Sequence, residues 1–539
     1  MKDRRFKIGF LTLFLAVPLL AQEIKFTDIT AAAGIKFTHN AGKTGKKWLP
    51  ETMGSGAAFF DADGDGFLDV LLINSKDLAP KGRKTLSALY RNNKNGTFTD
   101  ITAGSGLDVE LYGFGVAVAD YDNDGKDDLY ITALDGDRLF HNEGGGKFRD
   151  VTKTSGILNS TFSASSAWID YDKDGKLDLF IGNYVAWTAQ GDVHCSLDGK
   201  AKSYCTPESY KGVAPKLYRN LGLGKFQNVT VAAGLNDATN KALGIGTFDY
   251  DGDGWTDIFV ANDGTPNKLY HNLQNGKFKD EGMGAGVALG EDGKARGAMG
   301  VDFADYDRSG RMSVIVGNFS NQMIGLYHNE GSGLFMDMAP GSPVGRASLL
   351  NLTFGLFFFD YDLDGYPDFL AANGHIEDAI TKVQPKIQFA QLPLLMRNAG
   401  KGKFDVVNAF AKPIVARGSV YGDFDKDGDL DVLLTTNDGP AYLYRNDGGN
   451  RNNWLQVKLV GKKSNRNGIG AIVRVTSAGG KQWQVVHSGS SYLSSSDLAL
   501  TFGLGKDPAA TSIEVEWPSG VKQKLGSTPA KQSVTITEQ

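Results

Sequence analysis

Residues 61–69 read Asp61-Ala62-Asp63-Gly64-Asp65-Gly66-Phe67-Leu68-Asp69, and the recurrence of this D-x-D-x-D-G-x-x-D pattern along the chain decides the fold. Further complete copies are Asp120, Asp122, Asp124 and Asp128; Asp170, Asp172, Asp174 and Asp178; and Asp249, Asp251, Asp253 and Asp257. Two more are Asp360, Asp362, Asp364 and Asp368, then Asp423, Asp425, Asp427 and Asp431. Between the fourth copy and the last two lies a degenerate one, Asp305-Tyr306-Asp307-Arg308-Ser309-Gly310, with Ser313 in the final position.

Four carboxylates within nine residues repel one another unless a multivalent cation or protonation neutralises them. Calcium suits the pattern. Side chains at positions 1, 3 and 5 alternate onto one side of a tight loop, and Gly at position 6 permits its turn. Position 7 offers a backbone carbonyl, from Phe67, Lys126, Lys176, Trp255, Tyr366 and Asp429, and position 9 closes the oxygen shell. Zinc and copper prefer nitrogen or sulfur, and magnesium takes fewer carboxylates. The expectation is about six calcium sites, with a weaker seventh at Asp305, Asp307 and Ser309. An EF-hand requires Glu at position 12 and flanking helices, whereas these loops carry Leu72, Ile131, Ile181, Val260, Ala371 and Leu434 there and run into apolar strands.

After each loop comes Leu-Tyr-x-Asn, or a close variant, then a Gly-containing turn and a Phe-x-Asp/Asn strand, as in Leu89-Tyr90-Arg91-Asn92 through Phe98-Thr99-Asp100. That is a hairpin signal. With the strands flanking the Asp loop it makes four strands per repeat, at a period of 50 to 79 residues, which predicts an all-β, seven-bladed β-propeller. The array has mismatched ends. Phe26-Thr27-Asp28-Ile29-Thr30 is a trailing half with no Asp loop before it, and the unit from Asp423 to Asn446 has no Phe strand after it. Pairing residues 24–30 with 441–446 completes the seventh blade and removes an exposed edge.

Lys2, Arg4, Arg5 and Lys7 precede an apolar run from Ile8 to Leu20 and then Ala21, so residues 1–21 read as a secretory signal peptide. The run is too short to cross a bilayer, and no membrane span is expected. Removing it takes four of the 57 basic residues and one of the 62 acidic ones, leaving a net charge of about −8, which excludes nucleic acid as a natural partner. The expected location is secreted or periplasmic. Residues 22–447 form the propeller, and residues 448–539 form a small β domain with strands such as 455–459 and 471–476. In that tail Trp517, before Pro518, reads as core or interface packing.

The Asp loops resemble the FG-GAP/VCBS repeats of integrin-α-like propellers. The tail, through Asn452-Asn453-Trp454-Leu455, Gly468-Ile469-Gly470-Ala471, Phe502-Gly503-Leu504-Gly505 and Trp517-Pro518-Ser519-Gly520, resembles the ASPIC/UnbV domain. The pairing is similar to the cartilage acidic protein family and its bacterial relatives. That resemblance implies a secreted calcium-binding protein with adhesive or matrix-type roles and no established catalytic residues. Vertebrate members often add a growth-factor-like module after the tail, so a chain without one is expected to be a bacterial export product.

Cys195 and Cys205 are the only cysteines, and in an exported protein they predict a disulfide inside the long insertion 184–216. His39, Glu51 and His375 lie in polar stretches near blade ends and are candidates for a ligand face, with a structural hydrogen-bonding role as their alternative. No nucleophile elbow, Walker loop or dinucleotide fingerprint is present. The functional expectation is a binding or adhesion module for an extracellular protein or glycan. The alternative is a propeller enzyme acting on carbohydrate, or a cyclase.

Overall fold

The computed structural model describes residues 24–78 and 85–539, so the expected signal peptide lies outside the described residues. Seven four-stranded antiparallel sheets carry the repeats. Blade 2 shows the pattern: strands Gly113–Ala119, Asp128–Ala133, Arg138–Gly144 and Lys147–Asp150 pair in sequence order, with the Asp loop joining the first two. The innermost strand of each blade packs on that of the next. From Ala57–Phe60 in blade 1 to Ala416–Gly422 in blade 7 and back, the contacts close a ring. Apolar clusters fill the spaces between successive sheets.

Closure follows the predicted route. Lys25–Asp28 is the outer strand of blade 7, antiparallel to Tyr442–Asp447 with Phe26 opposite Asn446. Phe26 is buried against Phe359, Tyr361 and Phe410, so the chain start is anchored by packing as well as by the ladder.

Each Leu-Tyr-x-Asn repeat also supplies a clasp between blades. The Asn220 side-chain amide donates to Leu177 O in its own blade and to Tyr121 O in blade 2, both at 2.9 Å. The equivalent cross-blade bond recurs from Asn142, Asn272, Asn329, Asn398 and Asn446, and Asn92 closes the circle by donating to Phe424 O of blade 7 at 2.8 Å. A buried amide with both N–H groups bonded stabilises two sheets at once.

The tail sits against the Asp-loop end of the ring. Asn453–Val460 pairs antiparallel with Leu500–Gly505 and parallel with Gln532–Thr537. A second sheet holds Ile472–Ser477, Gly480–Val485, Ser512–Glu516 and Lys522–Leu525. Their apolar faces form one core that includes buried Trp517 and runs on into blades 2 and 3 through Trp168 and Tyr121. Between the two tail sheets the segment 488–496 enters the ring's axis. Ser491 exchanges backbone bonds with Val301 of blade 5, Val116 N of blade 2 donates to Leu493 O, and Ser495 bonds Ala57 and Phe59 of blade 1. Leu493 N donates to Ser165 Oγ of blade 3, and Ser491 Oγ to Ser419 O of blade 7. The tail thus plugs the channel.

Five residues before the first Asp of each repeat stand Gly56, Gly115, Ser165, Gly244, Gly300, Gly355 and Gly418. A Cβ at Gly244 would lie 2.1 Å from Met299 O of the next blade, and one at Gly56 would lie 1.7 Å from Leu493 O. Seven strands converging on one axis, with a loop between them, leave little room there for side chains.

Candidate metal centres

The turn between each inner strand and its neighbour is shaped by its own carboxylates. Asp61 accepts from the amides of Asp65 (3.0 Å) and Gly66 (2.9 Å), and Gly66 has φ 85°, a left-handed conformation that favours glycine. Asp120, Asp170 and Asp360 hold the amides at positions 5 and 6 in the same way. The last carboxylate is a staple: Asp69 accepts from Ala62 N and from Asn92 N, and Asp128, Asp178, Asp257, Asp368 and Asp431 repeat both bonds.

These folds bring positions 1, 3 and 9 together. One oxygen from each of Asp61, Asp63 and Asp69 lies within 4.8 Å of the others, and the trios Asp120, Asp122, Asp128 and Asp170, Asp172, Asp178 do the same. Burial, reinforced by the facing carboxylates, pushes Asp128 and Asp257 up to about 9 and Asp423 up to about 8. Oδ1 of Asp172, Asp423 and Asp425 is buried without a hydrogen-bond donor among the described residues. Converging anionic oxygens with spare lone pairs fit a hard, oxygen-seeking divalent cation such as calcium. Asp65, Asp124, Asp174, Asp253, Asp364 and Asp427 stand at the fifth position of these loops, and Phe67, Lys126, Lys176, Trp255, Tyr366 and Asp429 bring their carbonyls to the seventh.

The third residue of each Leu-Tyr-x-Asn repeat faces the loop of its own blade, a role not assigned from the sequence. Arg219 Nε lies 2.7 Å from Asp172 Oδ2, Arg397 Nε 2.6 Å from Asp362 Oδ2, and His141 Nε2 3.1 Å from Asp122 Oδ2. The signal was present, since all seven copies carry Arg or His there: Arg91, His141, Arg219, His271, His328, Arg397 and Arg445.

The degenerate loop of blade 5 is built differently. Asp305 Oδ2 accepts from Trp483 Nε1 of the tail at 2.7 Å, His328 Nε2 lies 2.9 Å from Asp307 Oδ2, and Ser313 Oγ replaces the stapling carboxylate by accepting from Asn329 N. A tail indole thus donates to the first carboxylate of this loop, and a hydroxyl takes the place of the last.

On the opposite face, His39, Glu51 and His375 are 2%, 1% and 2% exposed. His39 Nδ1 accepts from Asp438 N, Glu51 accepts from Thr44 and Tyr204, and His375 Nδ1 accepts from Glu377 N. Burial lowers His39 to about 3 and His375 to about 4, so both rings are neutral. His39 and Glu51 thus tie loops to one another, while His375 bonds within its own turn and its Nε2 meets no hydrogen-bond partner among the described residues. Arg417, which the sequence reading passed over, is fully buried over the Phe354 ring and donates to the carbonyls of Thr52, Gly374 and Ala416. Cys195 and Cys205 are disulfide-bonded, with Cα atoms 5.2 Å apart, in the insertion that roofs this face.

Family models match segments in both parts of the chain. The FG-GAP-like repeat model matches residues 61–131, 120–181 and 249–316, and the ASPIC and UnbV model matches residues 461–539. The chain carries FG-GAP-like repeats and a C-terminal ASPIC/UnbV domain, and it is homologous to cartilage acidic protein 1. The mouse protein of that name is 28% identical over 279 residues, covering 49% of this chain and 40% of its own length. That of Xenopus tropicalis is 28% identical over 305 residues, covering 56% and 45%. The chain therefore spans less than half the length of the relatives it matches. Among solved structures, the BP39L lectin from Burkholderia pseudomallei aligns with TM-score 0.44 and 10% identity over 73% of this chain and 96% of its own. An Agrocybe aegerita lectin described as recognising non-reducing terminal N-acetylglucosamine gives 0.38 and 18% over 71% and 86%. A Bacillus licheniformis rhamnogalacturonan lyase gives 0.38 and 13% over 78% and 75%. No helix among the described residues is long and apolar enough to cross a membrane.

Proposed function

We propose that this chain is an exported, calcium-loaded propeller that binds an extracellular protein or glycan on the face opposite its Asp loops. Residues 1–21 serve as the export signal, 22–447 as the propeller and 448–539 as the tail that caps and plugs it. The observation that carries the calcium reading is the set of converging carboxylates at positions 1, 3 and 9 with buried oxygens that no donor meets. Bound calcium would supply charge neutralisation and rigid loops, with no reaction at the ion. The disulfide supports export. Binding is favoured over catalysis because His39 and Glu51 are committed to holding loops, His375 is buried and neutral, and the channel is filled by residues 488–496.

The test is equilibrium dialysis of the mature protein with calcium, followed by protein and glycan arrays with and without the ion. About six ions per chain are expected, with blade 5 contributing least. Two ions or fewer, or array capture indifferent to chelator, would contradict the reading.

A further inference from the structure

At the mouth of the channel on the face opposite the Asp loops lies a pocket of about 130 Å³. Its apolar lining comes from several blades: Met53, Leu243, Met299, Phe319 and Phe354, with Ile376 beside them. One wall is the insertion just after the disulfide, Cys205 to Glu208. The volume is well below the ~300–1,000 Å³ of pockets that enclose drug-sized ligands, so it suits a single short group.

Two carboxylates line this pocket, Asp263 and, on the exposed rim, Glu208. Asp263 is fixed by Tyr184, whose hydroxyl donates to Oδ2 at 2.7 Å. Its other oxygen lies beside Gly297, where a Cβ would sit 3.0 Å from it. Among the described residues no Lys, Arg or His comes within ion-pair distance of either carboxylate. The cation that acts on Asp263, Lys241, donates its ammonium to Pro207 O at 2.7 Å instead. With Lys241 engaged by a carbonyl, the half-buried Asp263 carboxylate has no direct ion pair, and a cation that brings its own apolar stem would supply one while covering the apolar floor. Burial raises Asp263 to about 6, consistent with an under-compensated carboxylate.

We infer that this pocket binds a primary ammonium group on a short aliphatic stem, the ammonium on Asp263 and the stem against Leu243, Met299 and Phe354. The inference rests on the binding-module reading and gives its face a ligand chemistry. The ammonium can come from a free alkylamine, a lysine side chain or an amino sugar.

The test uses calorimetric titration of the mature protein in calcium with n-pentylamine, with n-pentanol as the neutral match. Nα-acetyl-lysine methylamide and glucosamine serve as the two alternative sources. Saturable pentylamine binding at least tenfold tighter than pentanol is expected, with at least a tenfold loss in Asp263→Asn, which keeps the acceptor for Tyr184. The tighter of the lysine and glucosamine probes identifies the source. Glu208→Gln, on the exposed rim, covers the case in which Asp263→Asn does not fold, and it should weaken pentylamine at least twofold. Equal binding of pentylamine and pentanol overturns the inference, as does no saturation by about 20 mM or variants that bind like the parent. A protein that binds calcium and captures an array partner yet ignores amines refutes the pocket and leaves the binding reading standing.

Discussion

Gly56→Ala adds one methyl group at the most crowded point of the ring, and its cost can be worked from the geometry. The new Cβ would stand 1.7 Å from Leu493 O and 2.6 Å from Leu493 C, both backbone atoms that cannot rotate away. Reaching the shortest contact that packed atoms tolerate requires roughly 1.3 Å of movement by the plug or by blade 1. Such overpacking costs ~1–3 kcal/mol. Leu493 O also accepts from Val116 N at 3.0 Å, and pulling it away leaves a buried N–H without an acceptor, a further ~1–3 kcal/mol. Replacing Gly restricts the unfolded chain and returns ~0.5 kcal/mol. The expected loss is therefore ~1.5–5.5 kcal/mol, a large part of the ~5–15 kcal/mol of a typical domain. Urea unfolding followed by tryptophan fluorescence measures it, and limited proteolysis should show cleavage within 488–496 that the parent resists. Gly526→Ala is the control, because nothing lies within 4 Å of its Cβ position. It should stay within ~0.5 kcal/mol of the parent. If Gly56→Ala unfolds like the parent, or Gly526→Ala loses as much, the plug does not pack as described.

Asn220→Ala removes the amide that bridges Tyr121 O of blade 2 to Leu177 O of blade 3, together with the oxygen that accepts from Gly222 N, so a loss of ~2–4 kcal/mol is expected in the same urea assay, and a change below ~1 kcal/mol would refute the clasp. Chelation should lower the melting temperature by many degrees: six sites with dissociation constants of ~0.1 mM contribute ~8 kcal/mol at ~1 mM calcium, and a scan unmoved by excess chelator would contradict calcium's folding role. His375 is held neutral with its folded value lowered to about 4 from the ordinary 6.5, so the unfolded chain takes up its proton first on acidification. The stability it supports is present above about pH 6.5 and falls by ~1.4 kcal/mol per pH unit on the way down to about pH 4. The stability difference between the parent and His375→Gln should therefore shrink with that slope, and a pH-independent difference would show that the ring is not buried neutral.

The blade pattern was legible in the sequence because its determinants are local. Carboxylates two residues apart, a Gly at position 6 and a Phe-x-Asp strand after an Asn/Gly turn shape backbone within a few residues of themselves, and repetition makes that signal additive. Ring closure was legible too, since each end of the array visibly lacks what the other carries, as the pairing of Phe26 with Asn446 bears out. The clasping Asn and the Arg or His before it were in view as residues but not as roles. Their partners belong to another blade or to a loop 19 to 47 positions away, as Arg219 to Asp172 illustrates, and only the packed ring shows which neighbour an amide reaches. Asp263 and the apolar mouth around it are likewise contributed by residues from Leu49 to Ile376 that share no motif.

The axis shows the division most sharply. Gly or Ser stands five residues before every first Asp, a regularity open to any reader of the sequence, yet nothing local explains it. The explanation is steric and global: seven strands meet at one line, and Ser491 to Ser495 of the tail, an unremarkable polar stretch in sequence, runs between them. Local propensity determined the strands, the turns and the acidic loops. Where the tail goes, and which glycines make room for it, depends on surfaces that exist only once the ring has closed.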